Sequence, residues 1–239
     1  MITVTILPVL KDNYAYLLQS EDGVTAVIDP GEAEPISKHL DSHGLNLDFI
    51  LNTHHHGDHT AGNAALKDKY GSKIFGPEHE RSKIPAQDFG LSEKDSFFLG
   101  KERMQVLETP GHTAGSICFY FPESGILFTG DTLFLMGCGR LFEGTPEQMF
   151  HSLHKILALP DETLIYCGHE YTLEATDFCL SIEPDNAALK KRQAEVRILD
   201  QQKKPTVPAT LRIEKETNVF LRAKNVEKFS EYRLKRNNF

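Results

Sequence analysis

Between Thr53 and His59 the chain reads Thr53-His54-His55-His56-Gly57-Asp58-His59, four histidines and one aspartate in seven residues. Neutral imidazole and carboxylate are the ligands that a borderline divalent cation such as zinc prefers. On an extended loop, residues two apart point the same way. His54 and His56 can therefore grip one cation while His55 points elsewhere. Gly57 lets the chain turn sharply, so Asp58 and His59 can face a second one. A bound pair of divalent ions would lower the pKa of a shared water from about 15.7 to about 7. That supplies a nucleophile at neutral pH without a reactive Ser or Cys.

One loop cannot fill two coordination shells, so other elements must bring the remaining ligands. Residues 2–7, Tyr14 to Leu18 and Val24 to Ile28 read as strands, with a turn at Glu21-Asp22-Gly23. Glu34 to His43 reads as a helix closed by Gly44, and Ala61 to Tyr70 as a helix closed by Gly71. Phe49 to Leu51 is a short apolar strand running into the histidine loop. Met104 to Leu107 is a strand leading to Pro110-Gly111-His112. Ile117 to Phe121 and Ile126 to Phe128 form a hairpin that leads to Gly130-Asp131. Thr145-Pro146-Glu147-Gln148 starts a helix with an N-cap Thr, Pro at the first position and Gln at the third. Leu164 to Cys167 leads to Gly168-His169.

Four apolar strands thus finish near a candidate ligand: His54, His112, Asp131 and His169. Layered α/β folds commonly collect functional residues at one edge of their sheets. His54, His56, Asp58, His59, His112, Asp131 and His169 make seven protein ligands, enough for two metals with three each and one carboxylate shared. His151 and His154 lie three apart on a helix but have no carboxylate partner and read as structural. His39, His43 and His79 read as surface or helix-end residues.

The chain of 239 residues is 40% hydrophobic and 25% charged, an ordinary globular composition. Its net charge of −8 argues against nucleic acid as a partner. No apolar run is long enough to span a bilayer, and the N-terminus lacks a signal peptide pattern. The four cysteines form no Cys-x-x-Cys pair and read as buried thiols, which fits a reduced cytoplasmic protein. A monomer is expected. Beyond Tyr171, Leu173 to Ile182 and Asn186 to about Gln202 read as helices. Thr206 to Ile213 and Asn218 to Arg222 read as short and partly extended, and the basic tail as a solvated arm.

The Thr53 to His59 stretch resembles the signature of the metallo-β-lactamase superfamily, and Pro110-Gly111-His112, Gly130-Asp131-Thr132 and Gly168-His169 match its later ligand positions. More narrowly, the chain resembles the hydroxyacylglutathione hydrolase (glyoxalase II) family. The stretches that carry this are Asp12-Asn13-Tyr14, Gly137-Cys138-Gly139-Arg140, Cys167-Gly168-His169-Glu170-Tyr171-Thr172 and Asn218-Val219-Phe220-Leu221-Arg222. The resemblance covers nearly the whole chain.

It implies an α/β fold, a four-layer αββα sandwich over residues 1–170, with a small helical substrate-binding domain over 171–239. It implies that His54, His56 and His112 hold one metal, that Asp58, His59 and His169 hold the other, and that Asp131 bridges them. The expected cofactor is two divalent ions, zinc first, with iron or manganese possible. Substrate contacts are implied for Arg140, Leu141, Phe142, His169, Glu170, Tyr171, Arg233 and Arg236, with Asp58 and Asp131 catalytic. Arg236 stands where relatives often carry Lys, and Phe142 where some carry Tyr. Cys138, close by, reads as structural.

The implied partner is a small glutathione thioester, S-D-lactoylglutathione, hydrolysed to glutathione and D-lactate in methylglyoxal detoxification. Glutathione is a net anion, so Arg140, Arg233 and Arg236 would reverse the sign of an acidic protein locally. Two rivals remain: a mononuclear iron persulfide dioxygenase, which the Asn218 to Arg222 stretch opposes, and a non-catalytic metal module.

Overall fold

A computed structural model describes residues 1–239. The first sheet holds β1 (Ile2–Val9), β2 (Asn13–Ser20), β3 (Thr25–Ile28), β4 (Phe49–Leu51), β5 (Lys73–Pro77) and β6 (Phe89–Leu91), in that spatial order. The second sheet begins with β7 (Ser96–Leu99), β8 (Glu102–Glu108), β9 (Ile117–Phe121) and β10 (Ile126–Gly130). After a small hairpin of β11 (Leu133–Phe134) and β12 (Gly137–Cys138), it is completed by β13 (Leu164–Cys167) and β14 (Ala209–Thr210).

The strands show why the chain forms layers. Along β2, Tyr14, Tyr16 and Leu18 face one apolar cluster and Ala15 and Leu17 face another, the period of two that a strand buried on both faces must show. Ala26 and Ile28 against Val27 in β3, and Leu51 against Ile50 in β4, repeat it. The smaller cluster is the outer layer. There Ile36 and Leu40 of α1 (Ala33–His43) and Leu66 of α3 (Asn63–Tyr70) cover the first sheet. The larger cluster fills the space between the sheets and extends to Met149, Leu153 and Ile156 of α4 (Pro146–Leu157). Truncating a fully buried residue such as Leu17 or Ile50 to Ala costs about 2–5 kcal/mol.

The helix punctuation follows the sequence. Gly44 and Gly71 take the left-handed conformation as C-caps, and Thr145 and Gln148 close a reciprocal capping box. Three differences stand out. The one-turn helix α2 (Gly57–Thr60) follows the histidine loop, and Gly57 is its first residue, with no positive φ. Helix initiation, not glycine freedom, therefore aims Asp58 and His59. Strands β5 to β7 lie in a stretch where glycine and proline dilute the β pattern.

The third difference is at the C-terminus. After α5 (Thr172–Ile182) and α6 (Ala187–Gln201), the expected extended pieces resolve into β14 and α7 (Leu211–Thr217), and the expected solvated arm into α8 (Val226–Asn237). Asn225 caps α8 by accepting from the Lys228 N–H at 2.9 Å. β14 pairs antiparallel with β13, and Val207, Leu211, Phe220 and Phe229 join the larger core. The C-terminal segment shares its core with the sandwich rather than packing beside it.

Candidate metal centre

Strands β8 and β10 each run antiparallel to β9, and β13 runs parallel to β10, so the three end at the same edge. The Ile117 N–H donates to the Thr53 carbonyl at 2.9 Å, which brings the loop after β4 to that edge. Close approach is required there. A Cβ on Gly168 would lie 2.4 Å from Asp131 Oδ1, and one on Gly130, whose φ is +46°, would lie 2.3 Å from Thr53 Oγ1. Both glycines stand beside ligand positions because a side chain would fill the site.

The candidate ligands gather in two groups. His56 Nδ1 lies 3.1 Å from His54 Nε2 and 3.0 Å from His112 Nε2. His59 Nε2 lies 3.3 Å from His169 Nε2, and Asp58 Oδ2 lies 3.5 and 3.4 Å from those two nitrogens. Asp131 stands between the groups: Oδ1 is 3.3 Å from His59 Nε2, and Oδ2 is 3.3 Å from His112 Nε2 and 3.4 Å from His169 Nε2. Ligands about 2.0–2.1 Å from a tetrahedral ion sit roughly 3.3 Å apart, which these spacings approach. Asp131 Oδ1 is buried without a hydrogen-bond partner. A bound cation would satisfy that orphan, so the residues fit a divalent metal.

Four of the five candidate ligand histidines are held through their second ring nitrogen. His54 Nδ1 meets Thr53 Oγ1 at 3.0 Å, and His112 Nδ1 meets the Arg140 carbonyl at 2.8 Å. His59 Nδ1 meets Asp29 at 3.1 Å, and His169 Nδ1 meets Asp12 at 2.9 Å. Asp29 also accepts from the Thr53 N–H and hydroxyl, and Asn13 Nδ2 donates to Asp58 Oδ2 at 3.0 Å.

Burial, then neighbouring histidines, push His54 and His56 below the usual imidazole value. His112 is also lowered, mainly by burial. Burial acts the same way on His169, but Asp131, Asp58 and Asp12 overcome it and raise His169 to about 11. His59 is likewise raised, Asp131 and Asp29 outweighing burial. Burial would raise Asp131, but His59 and His169 hold it well below the carboxylate range. Asp58 is lowered chiefly by its hydrogen bond with His169.

A cavity of about 700 Å³ opens over the centre, lined in part by Lys11, Arg140, Phe142, Tyr171, Arg233 and Arg236. Phe142, 61% exposed, stands edge-on to His56 and His112, with ring centroids 5.6 and 5.3 Å away. Tyr171 stacks flat on His169 at 4.8 Å and 7°.

The metallo-beta-lactamase superfamily model matches residues 10–169, and the hydroxyacylglutathione hydrolase C-terminus model matches residues 170–239. The hydroxyacylglutathione hydrolase of Brucella ovis is 50% identical over 213 residues, covering 89% of this chain and 83% of that one. This chain belongs to the hydroxyacylglutathione hydrolase family. ETHE1 from Myxococcus xanthus shares the fold with a TM-score of 0.74 and 27% identity, over 99% of this chain and 91% of that one. TTHA1623 in a di-iron-bound form aligns with a TM-score of 0.60 and 31% identity, over 70% of this chain and 91% of that one. Membership of this superfamily, together with these His/Asp clusters, supports the binding of divalent metal ions.

The structure brings together all seven candidate ligands. Among the substrate-contact candidates of this hydroxyacylglutathione hydrolase-family chain, placement varies. Arg140, Phe142, Tyr171, Arg233 and Arg236 line the cavity. Leu141 does not; it packs against the core. Glu170 lies in the wall, but its carboxylate accepts from the Tyr14 hydroxyl at 2.6 Å and the Thr206 N–H at 2.8 Å. Arg233 is 7% exposed and donates to the Cys138 carbonyl at 2.6 Å. Arg236 pairs with Glu174 at 2.8 Å, a contact to a largely exposed partner worth about 0–1 kcal/mol.

Cys138 lines the cavity, and all four cysteines are buried and free. His151 and His154 bond to main-chain carbonyls one turn back, outside the site. Sequence reasoning missed Lys11, Asp12, Asn13 and Asp29 as contributors. The Asp12-Asn13-Tyr14 stretch was a signal for two of them.

Proposed function

We propose that the protein hydrolyses S-(2-hydroxyacyl)glutathione, S-D-lactoylglutathione in particular, to glutathione and a 2-hydroxy acid, and so serves methylglyoxal detoxification. It is a thioester hydrolase. The observation that carries this reading is the continuity of the family match, which runs from the ligand-bearing sandwich through the C-terminal segment that walls the cavity.

His54, His56 and His112 would hold one divalent ion and Asp58, His59 and His169 a second, with Asp131 shared. The di-iron relative supports a two-ion centre, and zinc is the ion the donor set favours. Bound there, the ions supply Lewis acidity and activate water at neutral pH. Asp58 and Asp131 orient the attacking water. Water attacks the thioester: its oxygen bonds the carbonyl carbon, the C–S bond breaks, sulfur leaves as a thiolate, and the proton that water loses passes to that thiolate through solvent, giving the thiol and the acid. With a thiol pKa of about 8.5, expulsion needs little acid catalysis.

Arg140, Arg233 and Arg236 offer cations to the carboxylates of glutathione, and Tyr171 offers a ring and a hydroxyl. Residues 171–239 thus act as the substrate-binding domain, and the protein works as a cytoplasmic monomer. Hydrolysis of S-D-lactoylglutathione, with metal content measured on the same sample, tests the reading. A fully metallated protein that leaves the thioester intact overturns it.

A further inference from the structure

His55 is the histidine of the loop that the centre does not use. Its side chain points instead at Glu80, at the end of the short turn Glu78–Glu80 after β5. Glu80 is 1% exposed at its side chain. Its Oε2 accepts from the His55 backbone N–H at 2.8 Å and faces His55 Nδ1 at 2.9 Å, while Oε1 accepts from the Gly115 N–H at 2.9 Å. One buried carboxylate thus holds residues from two loops. One lies between His54 and His56; the other follows His112.

Glu143 repeats the arrangement nearer the surface. Its Oε2 accepts from the Ala114 N–H at 2.9 Å, and its Oε1 lies 3.6 Å from His55 Nε2 and accepts from Lys83 at 2.9 Å. The fit at the join is close: a Cβ on Gly115 would lie 2.6 Å from Glu80 Cγ. The group has the residue types of a third cation site. Each carboxylate oxygen already meets a donor, however, and the Lys83 ammonium is adjacent, so a cation gains little there. A buried carboxylate persists only when its hydrogen bonds offset desolvation. Here those bonds all go to the two ligand loops or to His55.

We propose that Glu80, His55 and Glu143 form a positioning network that sets the His112 loop against the His54–His56 loop, so that the three nitrogens converge on one cation. The proposal rests on the reading of those three histidines as ligands. Glu80 needs both oxygens for this, because Gln would turn an NH2 group toward one of the two loop N–H donors.

The test uses the full-length, zinc-loaded protein. The chelator concentration that strips each zinc equivalent and the thermal midpoint are measured for wild type, Glu80→Ala, Glu80→Gln and Glu143→Ala. We expect Glu80→Ala to lower the chelator midpoint of one equivalent by about 10- to 100-fold and to leave the other within about twofold. Glu80→Gln falls between, and Glu143→Ala gives a shift of a few-fold in the same direction. Unchanged midpoints in Glu80→Ala overturn the proposal, as does parallel loss of all zinc with the thermal midpoint, which marks a merely structural role. If Glu80→Ala does not fold, Glu143→Ala decides by the same criterion. Thioester hydrolysis by the wild type is measured separately, and its absence overturns the functional reading without touching the chelation result.

Discussion

His54 and His112 are backed by neutral groups, the Thr53 hydroxyl and the Arg140 carbonyl, whereas His59 and His169 are backed by the carboxylates Asp29 and Asp12. The imidazoles of the first half are pushed toward neutrality, and those of the second half are raised, His169 to about 11. Burial and neighbouring histidines favour neutral imidazole in the first half, and the carboxylates favour protonated imidazole in the second. A metal binds neutral imidazole, so acid should compete with metal more strongly at the second half than at the first.

The largest expected effect comes from the residue that belongs to both halves. Asp131→Ala should lower thioester hydrolysis by on the order of 10³-fold or more and remove metal from both positions. Retention of one full equivalent would assign Asp131 to a single half.

Next comes pH. In the metal-free protein, His169 has a folded value above its ordinary 6.5, so its contribution to stability is full below pH 6.5 and lost as pH rises through about 11. His54 has the opposite sign: its value is lowered, so its contribution is present above pH 6.5 and lost as pH falls. Urea titrations of the metal-free protein should show His169→Gln flattening the alkaline decline and His54→Gln the acid one, each by at most about 1.4 kcal/mol per pH unit. If both variants flatten the same limb, the contrast between the halves is wrong.

Asp12→Asn removes a charge from behind His169 only. It should weaken one metal equivalent by about 10- to 100-fold and leave the other, as read by chelator competition. The smallest effect lies outside both halves: Arg236→Ala should raise KM about three- to tenfold with kcat within about twofold. An unchanged KM would remove Arg236 from the substrate site.

The ligand residues were legible because metal binding demands few residue types and places them at strand ends. His112, Asp131 and His169 each follow an apolar run that forms a strand in the structure. The backing residues were not legible. Asp29 and Glu80 are each one carboxylate among 34 acidic residues and carry no periodic signal, and Asp12 was marked only by its place in the Asp12-Asn13-Tyr14 stretch. The last helix was obscured for a related reason. α8 buries only Phe229 and Arg233, so its apolar stripe is too thin to show a helical period. Arg233 was singled out only by the family resemblance; its buried bond to the Cys138 carbonyl had no signal in the sequence.

The order of parts along the chain has a consequence for biosynthesis. A nascent polypeptide that has emerged as far as His169 carries every candidate ligand. It still lacks β14, which completes the second sheet, and the helix that places Arg233 and Arg236 over the cavity. The ribosome therefore delivers the whole candidate ligand set before the last wall of the cavity.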